Sequence, residues 1–354
     1  MLQQIESVEA LAERVLADAE QKRDMVVDTR SLRMDADGNF RVDLDRIGTT
    51  HDLTATDTAH GQVAARLKIP APYYERMRAE APALLADNVN HWFTAAPERR
   101  MIRAHGTRMR AFLSDRYQRI DHADVLGIIL PVLGEMPDLQ VRSLAVTERR
   151  LYVRVTTPRV QGEVAKGDVV EAGLEITNSE IGLGALAVTP LVLRLVCLNG
   201  LVLPDRKLRQ QHVGAQTRLD EGEVYKMLTD EALKADDHAF LLKVRDVVRG
   251  ALSEATFQPV LERMRSAAGE PITGDPVKAV EAVGKVLSLT DGERVNVLRH
   301  LVTGGALSRW GLVNAVTRAA QDTEDYDRSV EMERGGGQVL TLPEGEWKRV
   351  AAAA

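Results

Sequence analysis

The spacing of apolar residues switches from helical to strand-like after about residue 98, and back to helical after about residue 216. Residues 99–216 hold a string of short alternating segments with one helical interval. They run from "RRMIRAHG-TRMRAFLS", a hairpin around His105-Gly106-Thr107, through a helix at Asp121–Leu133, to "LQVRSLAV", "RRLYVRVTT", "VVEAGLEITNS" and "ALAVTPLVLRLVCLNGLVL". Hairpins with a single helix between them do not make the regular βαβ alternation of a doubly wound sheet. The pattern predicts an α+β chain with a mainly antiparallel or mixed sheet. Three regions follow: a mixed α/β N-terminal part (1–98), a β-rich core with a basic hairpin (99–216) and a helical C-terminal domain (217–354).

Within the first region, Val8, Leu11, Ala12, Val15 and Leu16 predict a helix over Ser7–Gln21. Strands "MVVD" and "SLRMDADGNFRVDL" follow, turning at Asp37-Gly38 or Gly38-Asn39. "DADGN" is no calcium loop, because Phe40 stands where that motif requires glycine. A threonine cap and prolines Pro72 and Pro82 then start helices between Thr54 and Thr94. The C-terminal helices are predicted over Asp220–Ser253, Ala255–Ala267, Asp275–Leu287, Asp291–Val302 and Ser308–Thr323. A last one near Glu324–Arg334 ends at "GGG" before a strand-like "QVLTL".

The chain has 354 residues, 44% of them apolar, enough for two or three cores. No apolar run is long enough to span a membrane, and the acidic amphipathic N-terminus does not read as a secretory signal, so a cytoplasmic protein is expected. The single cysteine, Cys197, forms no intrachain disulfide and fits a reducing compartment. The formal charge is −6, but Arg99–Val160 carries twelve arginines, no lysine and six acids, about +6 against −12 for the rest. Arginine forks grip phosphate and carboxylate bidentately. The same face could equally be solvated strand surface.

Enzyme signatures are mostly missing. "EAVGKVLS" lacks the glycines of a phosphate loop, and "GLGAL" at Gly182–Leu186 lacks a third glycine and a following helix. The eight histidines show no metal-binding spacing, Cys197 reads as an inert core thiol, and neither metal nor cofactor is expected. Asp115, Asp121, Asp124, Asp168 and Glu175 are carboxylates that a fold could gather for a metal-dependent nuclease, although Asp121 reads as a helix cap and Asp168 as a turn residue.

Alternation along the basic hairpin puts Arg103 and His105 on one face of its first strand and Arg108, Arg110 and Phe112 on one face of its second, with Tyr117 just beyond. Cations and rings so mixed hold single-stranded nucleic acid, the arginines on phosphates and the rings on bases. Arg116 and Arg119 continue the set, and Arg142, Arg149, Arg150 and Arg154 extend it if their strands are neighbours. An amphipathic hairpin with Phe112 and Tyr117 in the core is the alternative. Arg194, in the most apolar run of the chain, needs an anionic or carbonyl partner from the fold or from a ligand. Asn178 and Asn199 read as turn residues, Asn199-Gly200 being a natural left-handed pair.

"RAFLSDRYQRIDHADVL", "GLEITNSEIGLGALAVTPLVLRLVCLNGLV" and "RWGLVNAVTRAAQDTEDYDRSVEMERGGG" resemble a phage- and plasmid-associated family of unknown function over roughly residues 99–340. The matching motifs are Leu113–Tyr117, Asn178–Gly182, Arg194–Gly200 and Asn314–Thr317. The resemblance implies no catalytic residues. A remoter similarity, to the Rad-type single-strand annealing superfamily, implies a curved sheet backed by a helix and a ring of copies holding single-stranded DNA. The function expected is therefore non-catalytic single-stranded DNA binding and annealing, with a homo-oligomer and no membrane partner. The alternative is a protein-interaction module of a mobile element, modulating host defence or replication through its acidic helical domain.

Overall fold

The computed structural model describes residues 8–44, 49–117, 119–136, 138–184, 186–197, 199–203 and 252–353, with scattered positions between 239 and 250. Most of the helix predicted over Asp220–Ser253 lies outside the described residues. Leu11 and Val15, one turn apart, give α1 (Val8–Glu20) its buried stripe. Six strands then form the first sheet: β1 (Lys22–Asp28), β2 (Leu32–Met34), β3 (Phe40–Leu44), β4 (Thr49–Ala55), β5 (Arg99–His105) and β6 (Arg108–Ser114). Their spatial order is β1-β5-β6-β4-β3-β2, with only β4 and β6 parallel. The Asp35 carboxylate accepts from the Asp37 and Asn39 amides and shapes the β2–β3 turn, in which Gly38 takes a φ of 84°.

Three helices cover one face of this sheet. The Thr56 hydroxyl caps α2 (Asp57–Arg66), while prolines in the first turn open α3 (Ala71–Glu80) and α4 (Pro82–Ala95). Phe40, Leu85, Val89, Phe93, Ile102, Met109 and Phe112 fill the space between. The hairpin β5–β6 is thus the middle of the first sheet, bonded to β1 on one side and β4 on the other. The change in composition near residue 98 falls inside this unit.

The second sheet is antiparallel, in the order β11-β10-β9-β8-β7. It comprises β7 (Gln140–Val146), β8 (Leu151–Glu163), β9 (Val169–Asn178), β10 (Ala187–Arg194) and β11 (Asn199–Val202). Two-residue alternation gives it two unlike faces. Leu151, Val153, Val155, Leu174 and Ile176 pack under α1 and α5 (His122–Gly134), the helix that backs the sheet. Arg154, Thr156 and Glu175 point the other way and are buried as well.

Among the described residues six more helices follow: α6 (Glu254–Ala268), α7 (Pro276–Val286), α8 (Asp291–Gly304), α9 (Arg309–Ala319), α10 (Tyr326–Leu340) and α11 (Glu344–Ala351). They share a core with the far end of the second sheet, Phe257, Leu261 and Val316 meeting Val160, Val192 and Leu201. The whole is α+β, with a curled antiparallel sheet and C-terminal helices.

Two local expectations are corrected. "GGG" does not end a helix: Gly335–Gly337 lie within α10, which runs on through "QVL". A Cβ on Gly336 would sit 2.5 Å from Thr317 Cγ2 and 3.1 Å from Leu201 Cδ1, so these glycines let α10 approach α9 and β11 closely. The run "ALAVTPLVLRLVCLNGLVL" is two strands, with Arg194 paired to Asn199 across the reversal. Asn199-Gly200 is therefore extended strand, and Asn199 Nδ2 donates to Thr317 Oγ1 at 2.5 Å.

Candidate anion site at the sheet junction

A β-bulge decides which way the basic hairpin points. Arg103 pairs with Ala111 and Ala104 with Met109, leaving Arg110 without an opposite residue. The extra residue reverses the alternation, so Met109 and Phe112 both face the first core while Ala111 and Leu113 face the junction with the second sheet. Phe112 does not share a face with Arg110. It is 3% exposed, stacks on Phe93 with centroids 5.8 Å apart, and has the Arg100 guanidinium above it, so no base can reach it.

The loop after β9, "NSEIG" at Asn178–Gly182, ties the two sheets together. Glu180, its side chain only 1% exposed, accepts from Lys22 Nζ on β1, from Arg110 Nη1 at 3.0 Å and from the His122 amide at 2.8 Å. Its backbone carbonyl accepts from Arg103 Nη1 at 2.9 Å. Arg103 also chelates Asp24 (2.8 and 3.1 Å) and reaches Asp121 at 2.6 Å. Asp121, read from sequence as the cap of α5, thus gives its carboxylate to Arg103 and makes no cap bond. Burial pushes the Glu180 carboxyl up, but the charge that the His122 ring takes on in acid, the Lys22 ammonium, and the bonds donated by the His122 amide and Lys22 bring it down to about 2.

The same loop fixes its neighbours. Asn178 Nδ2 donates to the Ile120 carbonyl and lies 3.0 Å from His122 Nδ1, which makes Nδ1 an acceptor and leaves the ring proton on Nε2. Burial lowers the His122 ring to about 4, so it is neutral at pH 7. Tyr117 donates its hydroxyl to the Ser179 carbonyl, Ser179 Oγ donates to the Arg149 carbonyl, and Gln62 bridges the Ile181 carbonyl and the Phe112 amide. Gly182, with a φ of 76°, makes the sharp turn that brings the loop onto Leu113.

Most of the residues predicted to meet nucleic acid are consumed by this framework. Arg103 is buried between two carboxylates, Tyr117 is half-buried on Ser179, and Arg150 donates to the Leu183 carbonyl. Arg154 lies on the far face of the second sheet, bound to Glu175 and Glu333, and Arg142 is tied to Thr156 and Glu171. Arg194 finds its partner in the fold: Nε donates to Asp168 Oδ1 at 2.5 Å, and Trp310 Nε1 donates to Oδ2 at 2.8 Å. Asp121, Asp168 and Glu175 are all taken by arginines, and among the described residues no three His, Cys, Asp or Glu are placed to hold a metal.

Of the arginines predicted to meet nucleic acid or to extend that set, four stay outward. Arg108 and Arg119 have side chains 57% and 58% exposed, with single contacts to Glu148 at 2.8 Å and Asp24 at 3.7 Å. Arg116 and Arg149 are exposed and have no carboxylate partner among the described residues. Beside Arg108 a cleft of about 200 Å³ opens between the sheets, with Lys22, His105, Arg110, His122 and Glu180 in its walls. His105 Nε2 and His122 Nε2 are buried there without a hydrogen-bond partner. Lys22, His122 and Glu180 were missed by the sequence reading. The signal was a glutamate between two apolar stretches, which needs cationic partners as much as Arg194 needs anionic ones.

A domain of unknown function, DUF932, matches residues 111–334, more than half of the chain. The chain belongs to the DUF932 family. The match runs from β6 to α10 of this DUF932 protein and includes the "NSEIG" loop, the second sheet and the helices over its charged face. No curated protein and no solved structure is matched. Among the described residues no helix is long and apolar enough to cross a membrane.

Proposed function

We propose that this DUF932 protein binds single-stranded DNA at the sheet junction by charge alone, with Arg108, Arg116, Arg119 and Arg149 on successive phosphates. One observation carries the reading: the "NSEIG" loop gathers the segments that bear these cations. Arg149 is bonded to Ser179 and Ser179 to Tyr117, next to Arg116, while Arg108 and Arg110 open into the same cleft. Four cations per copy make a weak site, and annealing or recombination on a mobile element would require several copies aligned along one strand. Multivalency then supplies the affinity that one copy lacks. Fluorescence anisotropy of a labelled oligonucleotide tests this. Reversing Arg108 and Arg149 together to Glu abolishes binding, whereas equal affinity of the variant and the wild type refutes the assignment.

A protein-docking reading rests on Val295 and Val302, 65% and 62% exposed and two turns apart on α8, away from the junction. Charge reversal at the junction leaves such an interaction unchanged.

A further inference from the structure

The cleft beside Arg108 holds chemistry that the four outward arginines do not use. A strand can lie across those arginines on the surface, whereas the cleft is a recess of about 200 Å³ between the sheets. That is smaller than the sites that take drug-sized molecules, and it suits one phosphate and its sugar better than a run of nucleotides.

One buried donor in this recess is unspent. His122 is 3% exposed, and Asn178 Nδ2 stands 3.0 Å from its Nδ1, so the ring proton is on Nε2, which has no hydrogen-bond partner among the described residues. The one carboxylate within ion-pair reach of the ring, Glu180, stands off Nδ1 at 3.8 Å and leaves Nε2 open. A buried polar atom of this kind points to a missing partner. His105 supplies no second such donor, because Asp18 is 3.7 Å from its Nε2.

The charge around this donor favours an anion. Lys22 and Arg110, both largely buried, share the single charge of Glu180, one on each of its oxygens, so among these three residues one positive charge is left over. Glu148 is exposed and spends its carboxylate on Arg108 at the rim. Thr58, in the first turn of α2, adds a half-buried hydroxyl to the wall that makes no hydrogen bond among the described residues.

Taking the junction as the strand-binding surface, on which this inference rests, we propose that the cleft receives the terminal phosphate of the bound strand. His122 Nε2 and Thr58 Oγ1 donate to it, and Lys22 and Arg110 balance it. A terminal monoester carries about −1.5 to −2 charges and three free oxygens, more than the single charge and two free oxygens of an internal diester. The site therefore separates a phosphorylated strand end from the strand's interior.

Competition anisotropy on the full chain at constant salt tests this, with unlabelled competitors of one sequence that end in a 5′-phosphate, in a 3′-phosphate or in hydroxyls alone. A hydroxyl-ended strand about two nucleotides longer controls for the added charge. At least one phosphorylated strand should compete about tenfold better than both hydroxyl-ended ones, the worth of a charge-assisted hydrogen bond, and which one does so gives the polarity of the bound end. His122→Asn keeps an acceptor for Asn178 but removes the Nε2 donor, so it should erase the preference and leave the binding of hydroxyl-ended strands unchanged. Thr58→Val is isosteric, keeps the fold, and should cut the preference about threefold. Equal competition by all strands of matched charge overturns this inference and spares the junction reading, as does an undiminished preference in Thr58→Val or in a folded His122→Asn. If no strand binds at all, whatever its ends, the junction reading fails and this inference falls with it.

Discussion

Replacing Glu180 by glutamine removes the charge on which the sheet junction is built. The folded carboxyl titrates at about 2 instead of 4.5. At about 1.4 kcal/mol per tenfold change in proton affinity, that difference is worth about 3 kcal/mol. A second estimate agrees: breaking a buried ion pair costs about 3–5 kcal/mol, because Lys22 and Arg110 are left without their anion. Glu180→Gln should therefore lower the urea unfolding free energy at pH 7 by about 3 kcal/mol with an unchanged m-value. The folded carboxyl holds its proton less tightly than the unfolded one, so its contribution is complete above pH 4.5 and is lost as pH falls toward 2. The gap between variant and wild type should accordingly narrow at pH 3.5. A gap under about 1 kcal/mol at pH 7, or one that widens in acid, would refute the assignment of Glu180 as the junction's anchor.

Burial brings the His60 and His122 rings down to about 4, so each resists a proton that the unfolded chain accepts near 6.5. Stability should be intact above pH 6.5 and fall between 6.5 and 4, and a flat urea midpoint over that range would contradict it. Gly336→Ala drives a methyl to within 2.5 Å of Thr317 Cγ2 and should cost about 1–3 kcal/mol in thermal melts; a neutral substitution would mean that α10 does not need its close approach. Arg103→Ala, which strands Asp24 and Asp121, should destabilise by about 3–5 kcal/mol. The exposed Arg116→Ala should stay within about 0.5 kcal/mol of the wild type and lose DNA affinity instead.

Periodicity made much of this fold legible. Leu11 and Val15 marked α1, a threonine cap, which is Thr56, was expected at the start of α2, and the turns at Gly38 and Gly106 marked two hairpins, because local chemistry sets those features. Tertiary context overruled the rest. The bulge at Arg110 cannot be read from alternation, and it separates Arg110 from Phe112. Gly335–Gly337 look like a helix end until Thr317 and Leu201 are seen against them. Composition located the cluster of arginines correctly but not their partners: Asp24, Asp168, Glu175, Glu180 and Glu333 come from distant strands, loops and helices. Arg194 was the exception, since an arginine in so apolar a run required a partner, and Asp168 is that partner.

The dependence of oligonucleotide affinity on salt tests the account most directly, because it counts the cations given to phosphates. Four outward arginines predict a slope of log K against log salt near −3 for a single strand of about ten nucleotides. A slope near −6 would mean that the buried arginines also reach the strand and that the ion pairs at Glu180 and Arg103 open. A slope near zero would mean that the junction does not bind DNA at all.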